Sequence, residues 1–254
     1  VTQPVQIELP EDELAGEDEA QASVELGSWE AAHGARTGAA VAVVLGFYRP
    51  NMADVNAIAE DLNFPGGFGN QAIFMNGIRG YGYVGKFFRI GGIFAQGDAS
   101  VVDPGAEFDR SLDLQVNEGG ITLEGVYAKR RWEVYAGGMV GVGSYQITYS
   151  QNDLRGPRAD WGDLTQAYSG TPATSTYSKS FMTGYTALNP WVGAKFKLLP
   201  WFAIDGNLGY HWGKAGDGSW VYSDEPNMGV KGSPALDAAG LTGSLEVTFG
   251  FFPY

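Results

Sequence analysis

The sequence contains no cysteine. That excludes a disulfide framework and a cysteine-ligated zinc site, and it is neutral about compartment. Histidine is nearly as scarce, with His33 and His211 the only two. Neither has a second histidine close by, and the acidic residues of the N-terminal stretch lack calcium-loop spacing. The expectation is therefore no metal and no cofactor. No apolar run approaches the ~18–20 residues that a membrane helix requires. Basic residues are few, 16 against 29 acidic ones, and form no stripe, so nucleic acid is not an expected partner. No basic segment followed by an apolar one opens the chain, which reads as a signal peptide already removed.

Glycine is abundant, at 38 of 254 residues, about twice the usual share. Aromatic residues make up 13%. The net charge of −13 is unevenly spread. Residues 1–30 hold nine acidic groups and no basic one, which leaves 20 acidic and 16 basic residues in the remainder. The chain thus divides into an acidic N-terminal arm, 1–36, and a near-neutral body, 37–254.

Residues 188–212 are the most informative stretch. Leu188, Pro190, Val192, Ala194, Phe196 and Leu198 alternate with Asn189, Trp191, Gly193, Lys195 and Lys197. After Leu199-Pro200 the pattern returns through Phe202, Ile204, Gly206, Leu208, Tyr210 and Trp212, alternating with Ala203, Asp205, Asn207, Gly209 and His211. Period two marks strands with one apolar and one polar face. A soluble sandwich also buries one face, so this hairpin alone does not fix the fold.

The same alternation, broken by glycine clusters and turn residues, predicts eight strands: 37–49, 71–85, 87–99, 110–129, 132–150, 177–198, 201–222 and 241–252. Strands two and three, four and five, and six and seven join through tight turns at Gly85-Lys86, Arg130-Arg131 and Leu199-Pro200. The other connections, 50–70, 100–109, 151–176 and 223–240, are long. Strict alternation of short and long, with both termini on the short side, is the loop plan of an outer-membrane barrel. The fold class is an all-β, eight-stranded antiparallel up-and-down barrel of membrane type.

The three hairpins resemble one another. Each carries a basic residue at its turn and an aromatic where the next strand begins: Phe87 and Phe88, Trp132, and Trp201 with Phe202. Amphipathic rings suit a membrane–water boundary and basic turns suit an anionic leaflet. Tyr210, Trp212 and Tyr254 complete the expected interfacial set. From Phe202 to Tyr210 the chain would span roughly 20 Å of membrane normal, against about 25 Å for such barrels. Strands six and seven, read as about 20 residues each, would rise roughly 50 Å and carry the barrel above the bilayer.

The last strand alternates Leu241, Gly243, Leu245, Val247, Phe249 and Phe251 with Thr242, Ser244, Glu246, Thr248 and Gly250. On these residues the chain resembles the small bacterial outer-membrane β-barrels of the OmpA, OmpX and OmpW shape. The resemblance implies a bacterial outer-membrane location, lipid as partner, and a terminal aromatic strand read by the insertion machinery. Phe249, Phe251 and Tyr254 fit that pattern, whereas Pro253 departs from it.

The inward face carries Arg79, Arg89, Glu124, Lys195, Lys197, Asp205, His211 and Glu246. A barrel of eight strands encloses room only for side chains or one small ligand. Mixed charges there are expected to pair with one another and plug it, because unpaired buried charge is costly. His211 could serve a serine hydrolase only beside an activated serine, and no serine has a nucleophile context. The expectation is no enzyme. Residues 51–64 place Met52, Val55, Ile58, Ala59 and Leu62 on one helical face, with Asn51 as N-cap, and predict a lid-like helix over the barrel mouth. The functional expectation is a structural building block that presents long outer loops, 151–176 above all, and self-associates into an oligomer or filament through residues 1–30 and those loops. The alternatives are a narrow pore or conduit for ions or small apolar solutes, a lipid-acting barrel enzyme, and an extracellular assembly in which neighbouring copies bury the apolar face.

Overall fold

The computed structural model describes residues 38–64, 66–85, 87–104, 108–153, 177–216, 218–224, 228–230, 233 and 235–252. Its elements are β1 (Ala39–Pro50), α1 (Ala53–Asp61), β2 (Ile73–Val84), β3 (Phe88–Pro104), β4 (Phe108–Lys129), β5 (Trp132–Asp153), β6 (Tyr177–Leu199), β7 (Phe202–Ala215), β8 (Val221–Tyr222), β9 (Leu236–Asp237) and β10 (Gly240–Gly250). Strands β1 to β7 pair in sequence order, and β10 closes the ring between β7 and β1. Every pairing is antiparallel, so the backbone polar groups of an eight-membered ring are satisfied without an edge.

The register fixes the shape of the ring. Starting from Ala40, the partners run through Tyr81, Gly91, Thr122, Met139 and Asn189. Opposite Asn189 stands His211, and the path continues through Gly240 to Pro50, a stagger of ten residues along β1 from Ala40 to Pro50. For eight strands that stagger implies a tilt of about 40° and a radius of about 8 Å. A ring so narrow is filled by its own side chains. Glycine supplies the room for the larger ones. A Cβ on Gly193 would collide with the Tyr135 ring, and one on Gly143 or Gly213 would collide with Tyr185.

Alternation sorts the two faces as its period requires. On β5, Trp132, Val134, Val140 and Val142 face out, while Tyr135, Met139, Tyr145 and Ile147 are buried inside. From Trp132 to Val142 the outward apolar band rises about 25 Å, the height of the lipid-facing band in such barrels. Above it the exterior turns polar, through Asn117, Gln115 and Asp113 on β4 and Ser144, Gln146 and Thr148 on β5.

Three details depart from the sequence expectation. Strand seven ends at Ala215 rather than at residue 222, because the chain turns away at Gly218 (φ 72°). Val221–Tyr222 then returns as a separate short strand on Phe181 and Met182 of β6. The expected long loop 100–109 is mostly strand. Ser100 to Pro104 stay in register with Asp113 to Asp109, and Arg110 ion-pairs with Asp103 across the ladder. Polar, proline-bearing sequence reads as loop, whereas the ladder and the cross-strand ion pair hold it extended. Consequently the projection above the band is one-sided. Strands β3 to β6 run 17, 22, 22 and 23 residues, against 12, 12, 14 and 11 for β1, β2, β7 and β10.

The hollow of this one-sided wall is filled by α1 and by residues 219–224 and 235–239. Val55, Ala59, Phe64, Trp220, Leu236 and Ala238 are buried there with Leu112, Leu114, Val116 and Ile147 of the wall. The helix begins one residue later than the N-cap assignment of Asn51 predicts. Met52 holds the N-cap position, and Asn51 instead accepts a hydrogen bond from the Ala53 amide at 3.1 Å. The reason is that Met52 is needed in the core, 3% exposed. Asp54 accepts the Asp237 amide at 2.8 Å, and Phe64, just past the helix, meets the Tyr149 ring edge-on at 6.0 Å, so α1 and the turn after it bridge β9 and β5 across the mouth.

Candidate functional site

The interior has two layers with different chemistry. The lower layer, nearer the short turns, is ionic. Arg79, Arg89, Lys195 and Lys197 face Glu124, Glu133, Asp205 and Glu246, and all eight are buried. Glu124 joins both arginines: one oxygen ion-pairs with Arg79 and Arg89, and the other accepts the Trp191 indole N–H at 2.5 Å. Arg79 reaches Glu246 at 3.1 Å, and Glu246 also accepts from Asn207 at 2.9 Å and Ser244 at 3.2 Å. Lys195 lies 3.6 Å from both Glu133 and Asp205, and Lys197 lies 3.7 Å from Glu133. Tyr83 donates to Glu133 at 2.9 Å, and Thr248 to Asp205 at 2.5 Å.

The charges cancel, four against four. That balance matters because an isolated ion in so enclosed a space costs several kcal/mol. Rings complete the layer. The Arg89 guanidinium carbon lies 4.4 Å from the Tyr81 ring centre and 4.0 Å from that of Tyr135. Arg79 lies 5.2 Å from the Trp191 ring. These faces receive guanidinium surface that has no carboxylate to meet.

The upper layer is aromatic. His211 is fully buried between Tyr48, at 5.2 Å, and Tyr185, at 5.7 Å, with Nδ1 at 3.1 Å from Glu118. Tyr145 donates to the Tyr48 hydroxyl at 3.0 Å, and Tyr48 in turn donates to the Ala238 carbonyl. The structure therefore places Arg79, Arg89, Glu124, Lys195, Lys197, Asp205 and Glu246 together and His211 apart from them, with Glu118. Between the layers lies a cavity of about 40 Å³ lined by Tyr48, Arg79, Glu118, Asn189, Trp191 and Glu246. This is room for about three water molecules.

Sequence reading missed Glu133, Glu118 and the ring set. The signal for Glu133 was present: once Trp132 faces outward, parity alone turns Glu133 in. Glu118 sits amid Gly119 and Gly120, where alternation has few side chains to show it.

The aromatics named from the sequence lie on the outer surface. Phe87, Phe88, Trp132 and Trp201 are each about half exposed near the short turns, Phe202 is half-buried there, and Tyr210 and Trp212 stand higher on β7. Trp132 contacts Phe196 at 4.7 Å, and Trp201 stacks on Phe249 at 6.3 Å. Tyr254, the arm 1–36 and most of the 151–176 loop lie outside the described residues.

No protein-family model and no curated protein matches the sequence. Solved structures do. Ail, the attachment invasion locus protein of Yersinia pestis, in complex with the heparin analogue sucrose octasulfate, is similar at 12% identity and a TM-score of 0.43, over 85% of this chain and 99% of that one. A major outer membrane protein from Thermus thermophilus is similar at 14% identity and 0.38, over 85% and 99%. The outer membrane protease OmpT from Escherichia coli is similar at 11% identity and 0.36, over 85% and 97%. The chain has the fold of an outer-membrane β-barrel: a closed antiparallel ring of eight strands with an apolar exterior. The expectation of a non-enzyme does not stand: one of these similar structures is an outer membrane protease, and a fold by itself does not fix function.

Proposed function

We propose that this chain is a structural building block of the bacterial outer membrane. In this reading the outward apolar rows anchor it in lipid, the ionic layer stiffens it, and the one-sided wall with its outer loops presents a surface beyond the bilayer. The observation that carries the reading is the balanced, fully buried set of eight charges under a covered mouth. An open conduit keeps lumen charges wet, whereas here they are enclosed by each other and by rings. Planar-bilayer recording tests it. The purified barrel should give no steady ohmic steps, and reproducible steps would overturn the plugged reading in favour of a pore.

The same proposal includes self-association through residues 1–30. Its support is the strand-like alternation of Val5, Ile7 and Leu9 with Gln6 and Glu8, and of Val24 and Leu26 about Glu25, within that stretch. Strand-addition systems link copies through such extra segments. Electron microscopy of the full chain should show linked barrels, and a variant lacking 1–30 should show single ones. Unchanged assembly in that variant would refute the linking role.

A further inference from the structure

We infer that the β4–β5 turn is a binding site for the phosphate of an anionic phospholipid, with the acyl chains of the same lipid lying along the adjoining barrel wall. The inference uses only the membrane placement of the barrel and is independent of its structural role.

The turn puts three cations in succession, Lys129, Arg130 and Arg131, all exposed. Among the described residues none of them forms an ion pair. Together with Trp132 and Phe196 they line one concavity. The backbone gives the second, independent observation. Arg130 has φ 53°, a left-handed conformation that disfavours a bulky side chain. The β2–β3 turn meets the same demand with Gly85, at φ 67°. A glycine at position 130 would relieve the strain. A strained residue standing where glycine would fit is a pointer to function. The turn is also held in place from outside, since the Lys197 amide donates to the Arg131 carbonyl at 2.8 Å.

The surroundings select lipid rather than free phosphate. Directly above the cations the exterior continues apolar, through Tyr127, Leu123 and Ile121 on β4 and Val134 and Val140 on β5, all well exposed. A phosphodiester at the turn therefore places its acyl chains against this column. The Trp132–Phe196 pair sits at the junction, where ring faces meet the glycerol region. Guanidinium groups pair with phosphate oxygens through parallel N–H donors, so Arg130 and Arg131 supply the specificity and Lys129 adds charge.

The test is native mass spectrometry of the full chain released from micelles doped with phosphatidylglycerol or with phosphatidylcholine of the same acyl chains. The intact protein should retain phosphatidylglycerol at least fivefold more than phosphatidylcholine. The double variant R130G/R131Q should lose that preference. The single variant R130G should lose part of it while its thermal transition stays the same or rises, which separates lost binding from lost fold. Three results would overturn the inference: equal retention of the two lipids by the intact protein, an unchanged preference in the double variant, or displacement of phosphatidylglycerol by millimolar inorganic phosphate. The last would reassign the turn to free phosphate.

Discussion

Neutralising Glu124 is the sharpest perturbation of the ionic layer. Its carboxylate holds two guanidinium groups and the Trp191 indole, all within the buried lower layer. Glu124→Gln keeps the shape and leaves four cations facing three carboxylates. Breaking a buried pair by removing one partner costs about 3–5 kcal/mol. The amide can still accept the indole proton, so the lower end of that range, about 3 kcal/mol, is expected. Restoring the balance should restore stability. The double variant Glu124→Gln, Arg89→Met has three cations against three carboxylates, and methionine can fill the slot between Tyr81 and Tyr135. It should be more stable than Glu124→Gln alone by about 2 kcal/mol, a coupling that contacting residues show and distant ones do not. Equilibrium unfolding in urea, in lipid vesicles, followed by Trp fluorescence, measures both. A single variant within about 1 kcal/mol of the parent, or a double variant no better than the single, would refute the claim that charge balance holds this interior.

Other outcomes follow from the same geometry. Val140→Arg, in the outward apolar band, should destabilise by about 2–4 kcal/mol in vesicles, whereas Asn117→Arg, above the band, should stay within about 0.5 kcal/mol. Gly193→Ala should cost about 1–3 kcal/mol by pushing the Tyr135 ring off Arg89, as measured by the same unfolding assay. Phe64→Ala should cost about 3–5 kcal/mol locally and raise amide exchange in α1 without affecting that in β10.

The ring was legible because period-two alternation and tight turns are local signals. Residues 188–212 displayed both, but the pairing of Lys195 with Asp205 depends on a bulge between Lys197 and Leu199 and a turn one residue later than Leu199-Pro200, and alternation does not show that bulge. The one-sided wall was not legible. Asp103 and Pro104 read as loop chemistry, and only the ladder between β3 and β4 reveals that Asp103 pairs across strands with Arg110. The division of the lumen into two layers was hidden for another reason. Alternation says which way a side chain faces, but height in the barrel depends on the ten-residue stagger, which no single hairpin contains. His211 and Asp205 therefore shared a list in sequence and occupy different layers in space. The arginine at position 130 was visible as a charge, while its left-handed backbone was not.

Cryo-electron microscopy of the barrel in lipid nanodiscs tests the central claim most directly. The account predicts a lipid belt about 25 Å high, running from the level of Trp132 to that of Val142, around a ring whose interior density joins Glu124 to Arg79 and Arg89. A ring whose outward apolar rows are buried against a second copy, with no lipid belt at that level, would contradict it.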